Sequence, residues 1–148
     1  MFWSKNAKPS SEVMALAEQC RRDAEELYRS GKYHCAEAVM EAIRRHFAPE
    51  VPESVVGTVS GFGGGSGTGC ICGAVSGGTV AIGLVVQDKK VTTHLTRELH
   101  VWFKEVYGVM CCKTIRHTHK GVCPVLTGEV AEKIAEMLSE NNRTHVRG

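Results

Sequence analysis

The stretch Gly63–Val86, GGGSGTGCICGAVSGGTVAIGLVV, constrains the fold more than any other. Glycines at this density weaken a strand, since each gives up packing and adds backbone entropy. On a helix, Gly73, Ala74, Gly77 and Gly78 recur three and four residues apart. They make a smooth face that a second backbone, or a cluster, can approach closely. Cys72–Val86 is therefore expected to be a buried helix, preceded by a glycine loop over Gly61–Gly69.

The loop fails the nucleotide-binding patterns. G-x-G-x-x-G does not fit in any frame, and no lysine follows Gly69 as a phosphate loop requires. Without alternating strands and helices there is no dinucleotide fold to support it. A glycine nest for an anion is all that remains of that reading.

The other segments repeat at the helical period. Ser11–Ser30 carries Val13, Leu16, Ala17, Cys20, Ala24 and Leu27 on one face, with Gly31 as its stop. Cys35–Phe47 carries Ala38, Val39, Ala42, Ile43 and Phe47, and Pro49 and Pro52 end it. Glu53–Val59 reads as a short third helix. A turn at Asp88–Lys90 leads to Val91–Tyr107, with Leu95, Leu99, Trp102, Phe103 and Val106 inward, ended by Gly108. The last helix is expected from Thr127 to Asn141, with Val130, Ile134 and Leu138 inward. The expected fold is all-α, a compact single domain of five or six helices over residues 11–141. Residues 1–10 and 142–148 are expected to be tails.

A chain of 148 residues is one domain by size and can bury a core without disulfides. A net charge of +2 argues against nucleic acid as partner. No run approaches the roughly 18 apolar residues of a membrane span. The N-terminus shows no signal-peptide pattern, so a cytoplasmic location is expected.

Seven cysteines stand out: Cys20, Cys35, Cys70, Cys72, Cys111, Cys112 and Cys123. In a reducing compartment, clustered cysteines mean metal, redox chemistry or catalysis more often than disulfides. Cys20 lies on an apolar stripe and belongs to packing. Cys35 opens a helix, where unpaired N–H groups favour a thiolate. Cys72, Cys112 and Cys123 stand at breaks in the chain. Four thiolates suit zinc or an iron–sulfur cluster. No C-x-x-C pair is present, and no C-x-x-C-H, so covalent haem is not expected. Cys70-x-Cys72 and Cys111-Cys112 also allow dithiol exchange. His117 and His119 read as surface residues, and no G-x-S-x-G elbow or carboxylate pair marks a hydrolase.

Cys72-Gly73-Ala74-Val75-Ser76-Gly77 reads C-G-A-x-x-G. Upstream stand His34-Cys35-Ala36-Glu37-Ala38-Val39 and Phe62-Gly63-Gly64-Gly65. Downstream stand Tyr107-Gly108, Cys112 and Cys123-Pro124. In this order the segments resemble the redox-active protein family named C_GCAxxG_C_C, from Tyr33 to Leu138. The resemblance implies Cys35, Cys72, Cys112 and Cys123 as the cofactor-binding set, with Gly63, Gly64, Gly65 and Gly73 as the supporting loop. It implies a redox role and, by kinship to a domain of some multihaem cytochromes, a bound iron–sulfur cluster. Family genes often lie near transporter genes, so a link to transport is conceivable. Cys70 and Cys111 are extra to the signature and stand as accessory ligands or resolving thiols. The expected function is a small redox or electron-transfer protein with a two-iron (2Fe–2S) cluster and an unidentified redox partner. A metal-free thiol–disulfide protein and a zinc-stabilised binding module are the alternatives. The smooth Gly73–Gly78 face leaves a homodimer open.

Overall fold

The computed structural model describes residues 9–146. The expected tails fall partly outside that range, at residues 1–8 and 147–148. Each helix begins where the sequence supplies a cap or a break. The Ser10 hydroxyl accepts the Val13 N–H at 3.2 Å and starts α1, Ser11–Arg29. Gly31, at φ +79°, takes the left-handed turn that ends it. His34 caps α2, Cys35–Phe47, and its own N–H reaches back to the Glu37 carboxylate at 3.2 Å. A 3-10 segment, Glu53–Phe62, follows, then the glycine turn Gly65–Gly69. Next come α3, Gly73–Val86; α4, Lys89–Tyr107; α5, Cys112–Thr118; and α6, Cys123–Val146.

The all-α expectation holds, with differences at the ends. The Asp88 carboxylate accepts the Val91 N–H at 3.0 Å, so α4 begins at Lys89, inside the expected turn. The 3-10 segment runs three residues past Val59 to Phe62. The last helix starts at Cys123 and passes Asn141 to reach Val146, longer at both ends than Thr127–Asn141. Its Pro124 stands in the first turn, where its missing N–H costs nothing. α5 was not expected, because seven residues with mostly polar side chains show too little periodicity. Val106, expected inward, is 50% exposed, since α4 buries only Leu95, Leu99 and Phe103 fully.

One core joins α1, α2, α3, α4 and α6 around Val39, Ile43, Ile82, Leu99, Phe103, Ile134 and Leu138. α1 lies along α6, and α2 lies between α1 and α3. α3 is crossed closely from two sides. A Cβ on Gly77 would fall 2.6 Å from the Ala36 carbonyl oxygen, and one on Gly78 2.6 Å from Ile134 Cδ1. The small-residue face therefore admits the α2 backbone on one side and α6 side chains on the other.

A single ionic cluster ties α2 to the chain beyond it. Glu41, 1% exposed, accepts from Arg44 Nε at 2.8 Å and Arg45 Nε at 2.8 Å. Arg44 Nη1 also donates to the Val51 carbonyl at 2.8 Å, fixing the entry to the 3-10 segment. Burial would raise the Glu41 pKa, but the two guanidiniums overrule it and hold the carboxyl below its ordinary value. Among the described residues, no helix is long and apolar enough to cross a membrane.

Candidate redox site

Four cysteines mark the starts of four helices. Cys35 opens α2, Cys72 precedes the first residue of α3, Cys112 opens α5 and Cys123 opens α6. The starts converge. The Cys35 sulfur lies within electrostatic range of Cys112 and Cys123. Cys72 lies within range of Cys35 and Cys112, and Cys112 within range of Cys123. Helix starts carry unpaired N–H groups and the positive end of the helix dipole, so their convergence favours negative charge.

Local backbone explains each placement. The chain leaves the glycine turn and pairs Ile71 with Cys111 in one antiparallel bridge. Cys72 N–H donates to the Met110 carbonyl, and Cys112 N–H to the Cys70 carbonyl, both at 2.8 Å. Side chains alternate across such a pairing. Cys72 and Cys112 therefore face inward, at 5% and 8% exposure, while Ile71 faces out at 49%. Cys111 is half-buried and Cys70 exposed. The pairing thus separates Cys111 from Cys112 although they are adjacent in sequence.

Glycines let the chain close tightly against the sulfurs. A Cβ on Gly73 would sit 2.7 Å from the Cys35 sulfur and 2.5 Å from the Phe62 carbonyl oxygen. A Cβ on Gly65, whose φ is +62°, would sit 2.8 Å from Cys112 Cβ. The Gly64 and Ala36 N–H groups donate to the Cys35 sulfur, and those of Ala74 and Val75 to Cys72. A Cβ on Gly63 would sit 3.4 Å from His34 Cβ.

Burial dominates the thiol chemistry. It pushes the Cys72 thiol up to about 12, with the charge of Cys35 adding to it. Cys35 is raised by burial against the pull of its two N–H donors. Its helix-start position alone predicts an activated thiolate, and burial reverses that expectation. Cys112 is raised by burial and by Cys123, with Arg116 opposing. Cys111 goes the other way, lowered by hydrogen bonds from Thr114 and Lys113. Cys20 is fully buried in the core, as its stripe position predicts, and is pushed up to about 12 by burial.

Two tyrosines stand beside the thiols. Tyr28, in the last turn of α1, hydrogen-bonds with the Cys123 side chain and lies near Cys35. Tyr107 lies near Cys72 and donates to the Glu129 carboxylate. Tyr107 enters the sequence reading only as part of the Tyr107-Gly108 segment, and nothing in the sequence marks Tyr28. Their role depends on which helix ends meet. His34 caps the helix that Cys35 opens. His46 pairs with Asp23 at 2.7 Å, and His117 and His119 are exposed.

The four sulfurs approach one another, with N–H donors to two of them. Among the described residues, no three His, Cys, Asp or Glu groups are gathered as ligands of a metal ion. No curated protein and no solved structure matches the chain. The family model described as "Putative redox-active protein (C_GCAxxG_C_C)" matches residues 33–137. That span holds all four converging cysteines and most of the chain, which belongs to this redox-active protein family.

Proposed function

We propose that the protein is a small electron-transfer protein holding a two-iron cluster on Cys35, Cys72, Cys112 and Cys123. The observation that carries the reading is that four cysteines stand at four helix starts and lie within electrostatic range of one another. Burial and mutual repulsion raise Cys35, Cys72 and Cys112, so the ionised set needs a compensating cation. A bound iron–sulfur cluster supplies that charge and a one-electron couple. Zinc would satisfy the thiolates equally but has no redox chemistry, which fits a redox-active family less well.

The chain's own residues have distinct parts. The four thiols lose their protons and anchor the group. The N–H groups of Ala36, Gly64, Ala74 and Val75 stabilise sulfur charge, which shifts a cluster's potential upward. Gly65 and Gly73 let backbone and sulfur approach more closely than a side chain there would allow. Phe62 and the α3 core limit water on the inner side, while the glycine turn leaves an exposed edge for a protein redox partner. A reducing cytoplasmic setting suits seven free thiols.

Anaerobic purification followed by absorption, iron, zinc and sulfide analysis tests the reading. Visible bands with equal iron and sulfide support it, and Cys72→Ser then loses the colour. Full cluster content in Cys72→Ser overturns the ligand assignment. Zinc without iron makes the site structural. A colourless, metal-free protein that resists reconstitution leaves thiol–disulfide chemistry in its place.

A further inference from the structure

We propose that Cys70 and Cys111, the cysteines outside the four-thiol set, form a second redox centre: a dithiol that reduces small or exposed disulfides. The proposal goes beyond the cluster reading and does not depend on it.

The backbone brings these two together. Cys111 Sγ donates to the Gly69 carbonyl at 3.3 Å, so the sulfur leans over the peptide that joins Gly69 to Cys70. The Cys112 N–H to Cys70 carbonyl bond and the Cys72 N–H to Met110 carbonyl bond clamp both flanks. Lys113 closes the end of the turn, since a Cβ on Gly69 would meet its Cβ at 3.0 Å. Ile71 and Cys111 form the close, non-hydrogen-bonded kind of pair, with Cα atoms about 4.5 Å apart. Cys70 is the next residue along, which places its Cα within the roughly 4.4–6.8 Å that a disulfide spans.

Cys70 is also free of the alternation that governs Ile71 and Cys72. It terminates the glycine turn at φ −77° and ψ −139°, and its side chain is exposed. Rotation about its Cα–Cβ bond can carry the sulfur over the same peptide. Cys72 and Cys112 lie on the inner face of the bridge and are nearly covered. Cys70 is exposed and Cys111 half-buried, so the outer pair is reachable by a substrate that Cys72 and Cys112 are not.

The reaction balances with the substrate as oxidant. The Cys111 thiolate attacks one sulfur of R–S–S–R, forming the mixed disulfide Cys111–S–S–R and releasing RS⁻. The Cys70 thiolate then attacks the Cys111 sulfur, forming Cys70–S–S–Cys111 and releasing the second RS⁻. Two protein thiols are oxidised, the substrate disulfide is reduced to two thiols, and the protons of the protein thiols pass to the products or to solvent.

Glutathione disulfide is the probe, applied to the reduced full chain, with peptide mapping by mass spectrometry. The expected product is a Cys70–Cys111 disulfide with no retained glutathione. Cys70→Ser is expected to stop at glutathione on Cys111 and to release it at least about tenfold more slowly. Both side chains reach the surface, and an unchanged thermal midpoint in Cys70→Ser confirms that the fold is intact. Equal release from Cys70→Ser, or glutathione retained on wild-type Cys111, overturns the proposal. The Cys70→Ser/Cys111→Ser double variant is expected to keep the iron and sulfide content of the wild type. Loss of iron there would make the pair ligands and overturn their separate role. Absence of iron from both proteins would instead count against the cluster reading alone.

Discussion

The face where α1 meets α6 and the face where α3 meets α2 are built by different means. α1 presents Val13, Ala17, Cys20, Ala24 and Leu27, and α6 presents Val130, Ala131, Ile134 and Leu138. Arg21 and Glu132 close the edge at 3.1 Å. Side chains interdigitate over most of it, so a lost methyl group leaves a void that neighbours partly fill. Gly128 does come near backbone there, where a Cβ would sit 3.0 Å from the Arg21 carbonyl oxygen. At the other face Gly77 meets the Ala36 backbone itself. Backbone has no rotamer to give, so that contact cannot adjust by repacking. The cysteine site depends on the second kind of face, because α2 and α3 each deliver one of its sulfurs.

Gly77→Ala should have the largest effect. Its Cβ would fall 2.6 Å from the Ala36 carbonyl oxygen and 2.7 Å from Ala36 Cα. Overpacking of this kind costs about 3 kcal/mol, read by urea denaturation, and should also lower iron content by separating Cys35 from Cys72. Leu138→Ala, in the core, should cost about 3 kcal/mol through a cavity while leaving iron content intact. Equal iron loss in both variants would erase the distinction between the faces.

Glu41→Ala should cost about 2 kcal/mol by leaving the half-buried Arg44 guanidinium without its carboxylate. The effect is expected to fade in acid. Glu41 is held below its ordinary 4.5 in the fold, so its stabilisation is present above that value and is lost as pH falls through the folded pKa. A wild-type and variant difference that stays constant from neutral pH to strong acid would refute the assignment.

Alkaline pH should weaken the metal-free protein next. Cys20 and Cys72 sit near 12 in the fold against an ordinary 9.0. Above 9 the unfolded chain releases protons that the fold retains, so stability falls. Each thiol contributes at most about 1.4 kcal/mol per pH unit between those values. Denaturation midpoints from pH 8 to 10.5 check this, and Cys72→Ala should flatten the slope. The smallest effect is a gain. Gly83→Ala places a Cβ 3.6 Å from Thr92 Cγ2, an ordinary contact, and should stabilise α3 by about 0.5 kcal/mol.

The α1 and α2 ranges were legible from long stripes and from Gly31, Pro49 and Pro52, and α3 from small residues three and four apart. α5 was not, since seven residues anchored by Cys112 and Ile115 leave little pattern. The four sulfurs were found through chain breaks and family resemblance, whereas their convergence is a matter of which helix starts meet. Tyr28 follows Leu27 in the last turn of α1, and sequence gives no sign that this helix end reaches Cys123. The outer position of Cys111 was equally hidden. It follows from a pairing between segments that carry no strand signal.

That pairing also bears on the order of folding. Ile71 and Cys111 are about 40 residues apart, and the loop they close contains all of α3 and α4. Closing so long a loop is entropically unfavourable until its contents are compact. The two helices must dock before the bridge can hold. Cys112 should thus be delivered late, after the hydrophobic nucleus has formed. During refolding, recovery of helical signal should precede protection of the Cys72 and Cys112 amides from hydrogen exchange.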